Sequence, residues 1–116
     1  MRLVNTKRIL IKNSKVIPNW IALYQNLETL IVDFTSLTKV NDIPNSLGNS
    51  RSIKRITLKS NNITYLPESF FNLQSLIYLD LNQNRITKIS GRIKNLKNLE
   101  SLYLSDNAIS KVPDEI

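Results

Sequence analysis

Five times along this 116-residue chain the same eleven-residue arrangement of apolar and polar positions recurs. It is clearest in IKRITLKSNNI (53–63), LIYLDLNQNRI (76–86) and LESLYLSDNAI (99–109), and it is already present in TKRILIKNSKV (6–16) and LETLIVDFTSL (27–37). Apolar residues stand at positions 1, 4, 6 and 11 of the frame, and a polar hydrogen-bonding residue at position 9. Of 20 apolar slots 19 are filled, Thr6 being the exception; at 41% hydrophobic content chance would fill about eight. The alternation at positions 3 to 7 predicts a short strand with positions 4 and 6 on one face and 3, 5 and 7 on the other. One such strand cannot bury its apolar face alone. Neighbours must stack about 4.8 Å apart into a parallel sheet. Ile9/Ile11, Leu30/Val32, Ile56/Leu58, Leu79/Leu81 and Leu102/Leu104 are then the inner core rows.

The frames begin near residues 6, 27, 53, 76 and 99, so the last three are 23 residues apart, whereas the first spans 21 and the second 26. The extra residues of the second lie around Val40, Asn41 and Asp42, which predicts a small bulge of its outer loop. A second motif follows most frames: Ile17-Pro18, Ile43-Pro44, Leu66-Pro67 and Val112-Pro113, with an apolar residue three positions after each proline (Ile21, Leu47, Phe70, Ile116). Proline fixes one dihedral and needs no hydrogen-bond acceptor, which suits the entry to a short convex helix or turn. The fourth repeat has Ile89-Ser90-Gly91-Arg92-Ile93 instead, which predicts an altered outer turn over an unchanged core. After each strand the chain must turn sharply inside the stack. Asn61, Asn84 and Asn107 carry both a donor and an acceptor for the buried backbone there. Ser14 and Thr35 hold that place in the first two repeats with shorter side chains, so the N-terminal end is expected to be the looser one.

These segments resemble the leucine-rich repeat family, LxxLxLxxNxL, in its 23-residue class with an LPxxIxxL second half, over nearly the whole chain. The resemblance implies a right-handed α/β solenoid of about five repeats, a short horseshoe arc with its parallel sheet on the concave face. It also implies recognition of a protein or peptide on that face, as a non-catalytic interaction module or scaffold. Residues 1–116 are read as a single domain. Both ends of a solenoid need covering. Residues 1–5, with Leu3 and Val4, are a thin N-terminal cap, and the chain stops at Ile116 part-way through the fifth outer turn. The expectation is a fragment of a longer chain; a small protein that caps itself by association through its C-terminal strand edge is the alternative.

Composition narrows the chemistry. With no Cys and no His there is no thiolate nucleophile, no disulfide framework, no imidazole base and no Cys/His zinc site. Gly48 and Gly91, the two glycines, cannot build a phosphate-cradling loop. Asp80 and Asp106 fall in adjacent strands, but no pocket-forming turn accompanies them, so no catalytic residue, metal or cofactor is expected. The net charge of +7 is uneven: residues 1–58 hold nine Lys/Arg against three Asp/Glu, residues 59–116 seven against six. A basic N-terminal half predicts an acidic partner with salt-sensitive association. The longest apolar run near the N-terminus is Ile9-Leu10-Ile11, too short for a signal peptide or membrane span, so a cytoplasmic location is expected. The triplet Asn62-Ile63-Thr64 reads as a chance glycosylation match.

Positions 3, 5, 7 and 8 are free of core duty. Position 3 gives Arg8, Thr29, Arg55, Tyr78 and Ser101, and position 5 gives Leu10, Ile31, Thr57, Asp80 and Tyr103. Position 7 gives Lys12, Asp33, Lys59, Asn82 and Ser105, and position 8 gives Asn13, Phe34, Ser60, Gln83 and Asp106. From these, Arg8, Leu10, Lys12, Ile31, Phe34, Arg55, Lys59, Tyr78, Asp80 and Tyr103 form the candidate partner-binding set. Leu10, Ile31 and Phe34 make an apolar patch flanked by Arg8, Lys12 and Arg55. Tyr78 and Tyr103 are close enough for one aromatic platform, and Tyr and Arg are favoured at interface hot spots. Lys12, Asp33 and Lys59 are more simply a cross-strand charge ladder, and Arg92, Lys94 and Lys97 a solvated convex face. Two other functions remain open: a recognition arm of a larger signalling or effector protein whose catalytic domain lies outside this chain, and binding of nucleic acid or an anionic surface through the basic half. Nucleic acid is disfavoured because Asp33, Asp80 and Asp106 interrupt the basic track.

Overall fold

The computed structural model describes residues 5–33 and 42–113. Each repeat contributes a three-residue strand: β1 Arg8–Leu10, β2 Thr29–Ile31, β3 Arg55–Thr57, β4 Tyr78–Asp80 and β5 Ser101–Tyr103. They form one parallel sheet in the order β1-β2-β3-β4-β5, with Arg8, Thr29, Arg55, Tyr78 and Ser101 in line across it. The strands stay in register although the repeats differ in length. The extra residues of the second repeat are accommodated outside its strand, and the expected bulge at Val40 and Asn41 lies outside the described residues.

The alternation is satisfied as the period of two requires. The central residues Leu30, Ile56 and Leu79 are fully buried, while their counterparts at the ends of the stack, Ile9 and Leu102, are half-buried. Each end strand has a neighbour on one side only, so its apolar face is half-covered. On the far side of the core, 3-10 turns at Asn19–Leu23, Asn45–Asn49, Glu68–Asn72 and Gly91–Asn95 stack on one another. They insert Ile21, Leu47, Phe70 and Ile93 into the core. Pro18, Pro44 and Pro67 precede the first three with ψ near 145°. The fourth repeat does not have the altered turn expected of it. Ser90 adopts ψ 141° and its hydroxyl accepts the Arg92 N–H, so a side-chain cap does the work of the proline and the turn keeps its five residues.

Gly48 answers a steric demand peculiar to its repeat. A Cβ built there would lie 2.1 Å from the Ser69 carbonyl oxygen of the next turn, so these two turns approach closely only because one carries no side chain. Ala22 and Phe71 stand at the equivalent place in other turns.

The asparagines bind the turns together. Asn61 Nδ2 donates to the carbonyls of Val32 and Leu58, both at 2.8 Å. Asn84 Nδ2 donates to Leu58 and Leu81, both at 3.0 Å, and Asn107 Nδ2 to Leu81 at 2.9 Å and Leu104 at 3.1 Å. Each amide thus ties its own strand to the preceding one. The Oδ1 atoms accept in the opposite sense, Asn84 from Ile63 N–H and Asn107 from Ile86 N–H. Ser14 makes only local contacts, to the backbone of Val16 two residues on, so no side chain at that place links the first repeat to a neighbour; Thr35, Leu3 and Val4 lie outside the described residues. A second ladder escaped the sequence reading. Ser52, Ser75 and Asn98, 23 residues apart, donate to the carbonyls of Leu27, Arg51 and Gln74 in the preceding repeat.

Three stability outcomes follow. Asn84→Ala strands the Ile63 N–H and removes partners from two carbonyls, and should cost about 3 kcal/mol by urea denaturation. Asn107→Ala, at a half-buried site open to water, should cost about 1 kcal/mol. Gly48→Ala should destabilise by about 1–3 kcal/mol, because it meets backbone that cannot rotate away.

Candidate concave-face binding site

The sheet's outer face carries two rows of side chains in register. Arg8, Thr29, Arg55, Tyr78 and Ser101 form one, and Leu10, Ile31, Thr57, Asp80 and Tyr103 the other. Strand backbone groups are engaged in the ladder, so these side chains alone face outward for binding. The most organised feature is a three-membered stack. The Arg55 guanidinium lies 4.0 Å from the centre of the Tyr78 ring, and the Tyr78 and Tyr103 rings are 5.2 Å apart, tilted at 47°. A cation over an aromatic face is attracted by the ring quadrupole. Tyr103 is 43% exposed, and Arg55 forms no ion pair with a described carboxylate.

At the N-terminal side, Leu10 is 50% exposed and sits directly beside half-buried Ile31. Arg8 and Lys12 are exposed on the same strand and just after it. Phe34, expected to complete this patch, lies outside the described residues. The place in the frame that it occupies has a different duty elsewhere: Asn13, Ser60, Gln83 and Asp106 all have φ between 56° and 59°. Position 8 is therefore the left-handed residue that turns the chain out of the strand, where Asn and Asp are the least strained side chains after Gly. Side chains at this position still line up from one repeat to the next, as the Ser60 hydroxyl donating to Gln83 Oε1 shows.

The expected charge ladder is also replaced. Lys12, Asp33 and Lys59 form no ion pair with one another. Instead Asp33 Oδ1 accepts the backbone N–H of Lys59 at 2.7 Å. Asn82 Oδ1 does the same for the Ser105 N–H at 2.7 Å and takes the Ser105 hydroxyl at 2.8 Å. Position 7 thus carries acceptors that stitch one strand's exit to the next, which leaves the Lys59 side chain uncommitted. The ion pairs among the described residues lie elsewhere: Lys54 with Glu28 at 3.5 Å, and Arg92 with Glu68 at 2.9 Å across two outer turns. Both are well exposed and contribute little. Asp80 and Asp106 are not cross-strand partners. Asp80 lies opposite Thr57 and Tyr103, whereas Asp106 is an exposed turn residue.

Two features away from the sheet were not singled out from the sequence. On the first outer turn Trp20 is 45% exposed against Tyr24, beside exposed Leu23; the corresponding residues of later turns are Ser46, Ser69 and Arg92, and Asn49, Asn72 and Asn95. Comparison of the turns position by position would have revealed that substitution. A pocket of about 430 Å³ opens between the third and fourth repeats, lined by Tyr65, Leu66, Phe71, Ile86, Ile89 and Ile93 among others. Among the described residues, no helix is long and apolar enough to cross a membrane.

The position-7 geometry separates two readings by mutation. Asp33→Ala should lose about 1–2 kcal/mol of stability in chemical denaturation, and Asp33→Asn, which keeps the acceptor, much less. Lys59→Ala should leave stability within about 0.5 kcal/mol, since the bond is to its backbone. A large loss for Lys59→Ala would restore the charge ladder.

A family model described as leucine rich repeat matches residues 25–86 and 51–109. No curated protein matches the sequence. Among solved structures, a leucine-rich-repeat protein of Leptospira interrogans is similar, with 33% identity and a TM-score of 0.81. The match covers 87% of this chain and 25% of that one, so the chain spans about a quarter of that protein's length. Domains of this kind generally mediate protein–protein interaction and are typically non-catalytic. The stacked strands, the outer turns after Leu-Pro or its serine substitute, the asparagine ladder and the matched residues agree: this chain belongs to the leucine-rich repeat family.

Proposed function

We propose that this domain is a non-catalytic binding module that holds a protein or peptide segment on its concave sheet. The observation that carries the reading is the Arg55–Tyr78–Tyr103 stack. Large, rotationally restricted aromatic side chains and an oriented guanidinium lose little entropy on binding, so the contacts they make are retained as affinity. Leu10 and Ile31 extend the surface with apolar area, and Arg8, Lys12, Arg55 and Lys59 give the β1–β3 side a positive potential. That favours a segment with acidic residues over β1–β3. Five strands span only about 19 Å, which suits an extended segment better than a broad globular face.

The test needs a partner obtained by crosslinking in the source cells and then purified. Tyr103→Ala and Arg55→Ala should each weaken its affinity by about tenfold or more, with the denaturation midpoint nearly unchanged. Unfolding of Tyr103→Ala would make the ring a core element. Association should slow as salt rises; equal affinity at low and high salt would sink the acidic-partner argument. Tight binding of random single-stranded oligonucleotide at physiological salt would favour the nucleic-acid reading instead.

A further inference from the structure

Asp80, the last residue of β4, is 9% exposed although it stands in an outward row of the sheet. A carboxylate so buried ordinarily has a cation or several hydrogen-bond donors around it. Here Oδ1 accepts a single bond, from the Asn82 backbone N–H at 2.9 Å, and no described Lys or Arg forms an ion pair with it. The second carboxylate oxygen has no hydrogen-bond partner and is reachable by water, unlike the polar atom of its neighbour across the sheet. The Thr57 hydroxyl oxygen is buried and has no hydrogen-bond partner. The two residues are directly opposite in the register, and Tyr103 flanks Asp80 on the other strand. Arg55, the nearby cation of the face, is instead seated on the Tyr78 ring.

A bond to Asn82 N–H explains one oxygen of Asp80, and an asparagine would serve it equally. It explains neither the second oxygen nor the orphaned hydroxyl beside it. A carboxylate oxygen without a hydrogen-bond partner, beside a buried hydroxyl that also has none and with Tyr103 across the sheet, is complementary to a positively charged donor group. We infer that Asp80 and Thr57 form a subsite for a cationic side chain, an ammonium or guanidinium group contributed by the bound segment. The proposal rests on the concave-face reading and sharpens it. Together with the basic side of β1–β3, it gives the face opposite electrostatic ends, so a bound segment places acidic residues over β1–β3 and a basic residue over β4–β5.

The subsite can be read without any partner. The ¹⁵N-labelled chain is titrated with n-butylammonium chloride, and separately with sodium chloride at matched ionic strength. The expected result is a saturable millimolar shift of the Thr57, Asp80, Asn82 and Tyr103 amides with butylammonium alone. Asp80→Asn, which retains the acceptor for Asn82, should weaken it by about tenfold or more. Thr57→Val should weaken it by a smaller factor, and Asp106→Asn should leave it unchanged. Absence of saturable shifts, equal shifts with sodium, or an unaltered titration in both Asp80→Asn and Thr57→Val would overturn the proposal. That failure would leave the Arg55 and Tyr103 effects on partner affinity standing. Conversely, loss of those effects with an intact titration would refute the concave-face reading alone.

Discussion

Everything in this fold depends on satisfying backbone polar groups in a turn that the stacking itself buries. A chain that leaves a strand and bends across the core strands carbonyls and amides where water cannot reach them, and each orphan costs about 1–3 kcal/mol. The carboxamides of Asn61, Asn84 and Asn107 meet that demand by donating across two repeats at once, and those of Asn84 and Asn107 also accept from a third segment. A hydroxyl is too short for the span, as Ser14 illustrates by closing on its own loop. From the third repeat on, that bridge recurs from one turn to the next, while the spacing of the strands is set by their backbone ladder.

Once the interior is settled in this way, most polar side chains turn out to be occupied. Asp33 and Asn82 hold the amides of the next repeat, Ser52, Ser75 and Asn98 hold carbonyls of the previous one, and Ser90 caps an outer turn. The surface available for recognition is therefore smaller than a count of outward positions suggests. It narrows to Arg8, Leu10, Ile31, Arg55, Tyr78 and Tyr103, with the Lys12 and Lys59 side chains at its margin and Asp80 beneath.

The rows were legible because a strand's period of two leaves no freedom once one face is apolar. Ile9, Leu30, Ile56, Leu79 and Leu102 had to point inward, and Arg55, Tyr78 and Tyr103 outward. The left-handed backbone at position 8 was not legible because nothing in residue type marks it; Ser60 and Gln83 are as ordinary in extended backbone. Asp33 was misjudged for a related reason. Charge sequence along the row suggested pairing with lysines, whereas distance favoured a backbone amide that carries no sequence signature.

The sequence by itself determined the repeat, the parallel stacking, the core rows and the asparagine bridges, because each follows from periodicity and from donor and acceptor count. It also excluded thiol and imidazole chemistry outright. Only the tertiary structure decided which outward polar groups are already committed and which are left over. Those decisions turn on separations of a few ångströms between residues 20 or more positions apart: Asp33 on Lys59, Arg55 over Tyr78, Gly48 under Ser69. Burial did the rest. Asp80 and Asp106 look alike in the repeat, but one is enclosed between Thr57 and Tyr103 and the other is exposed on a turn, because strand twist and side-chain size set what each neighbour covers.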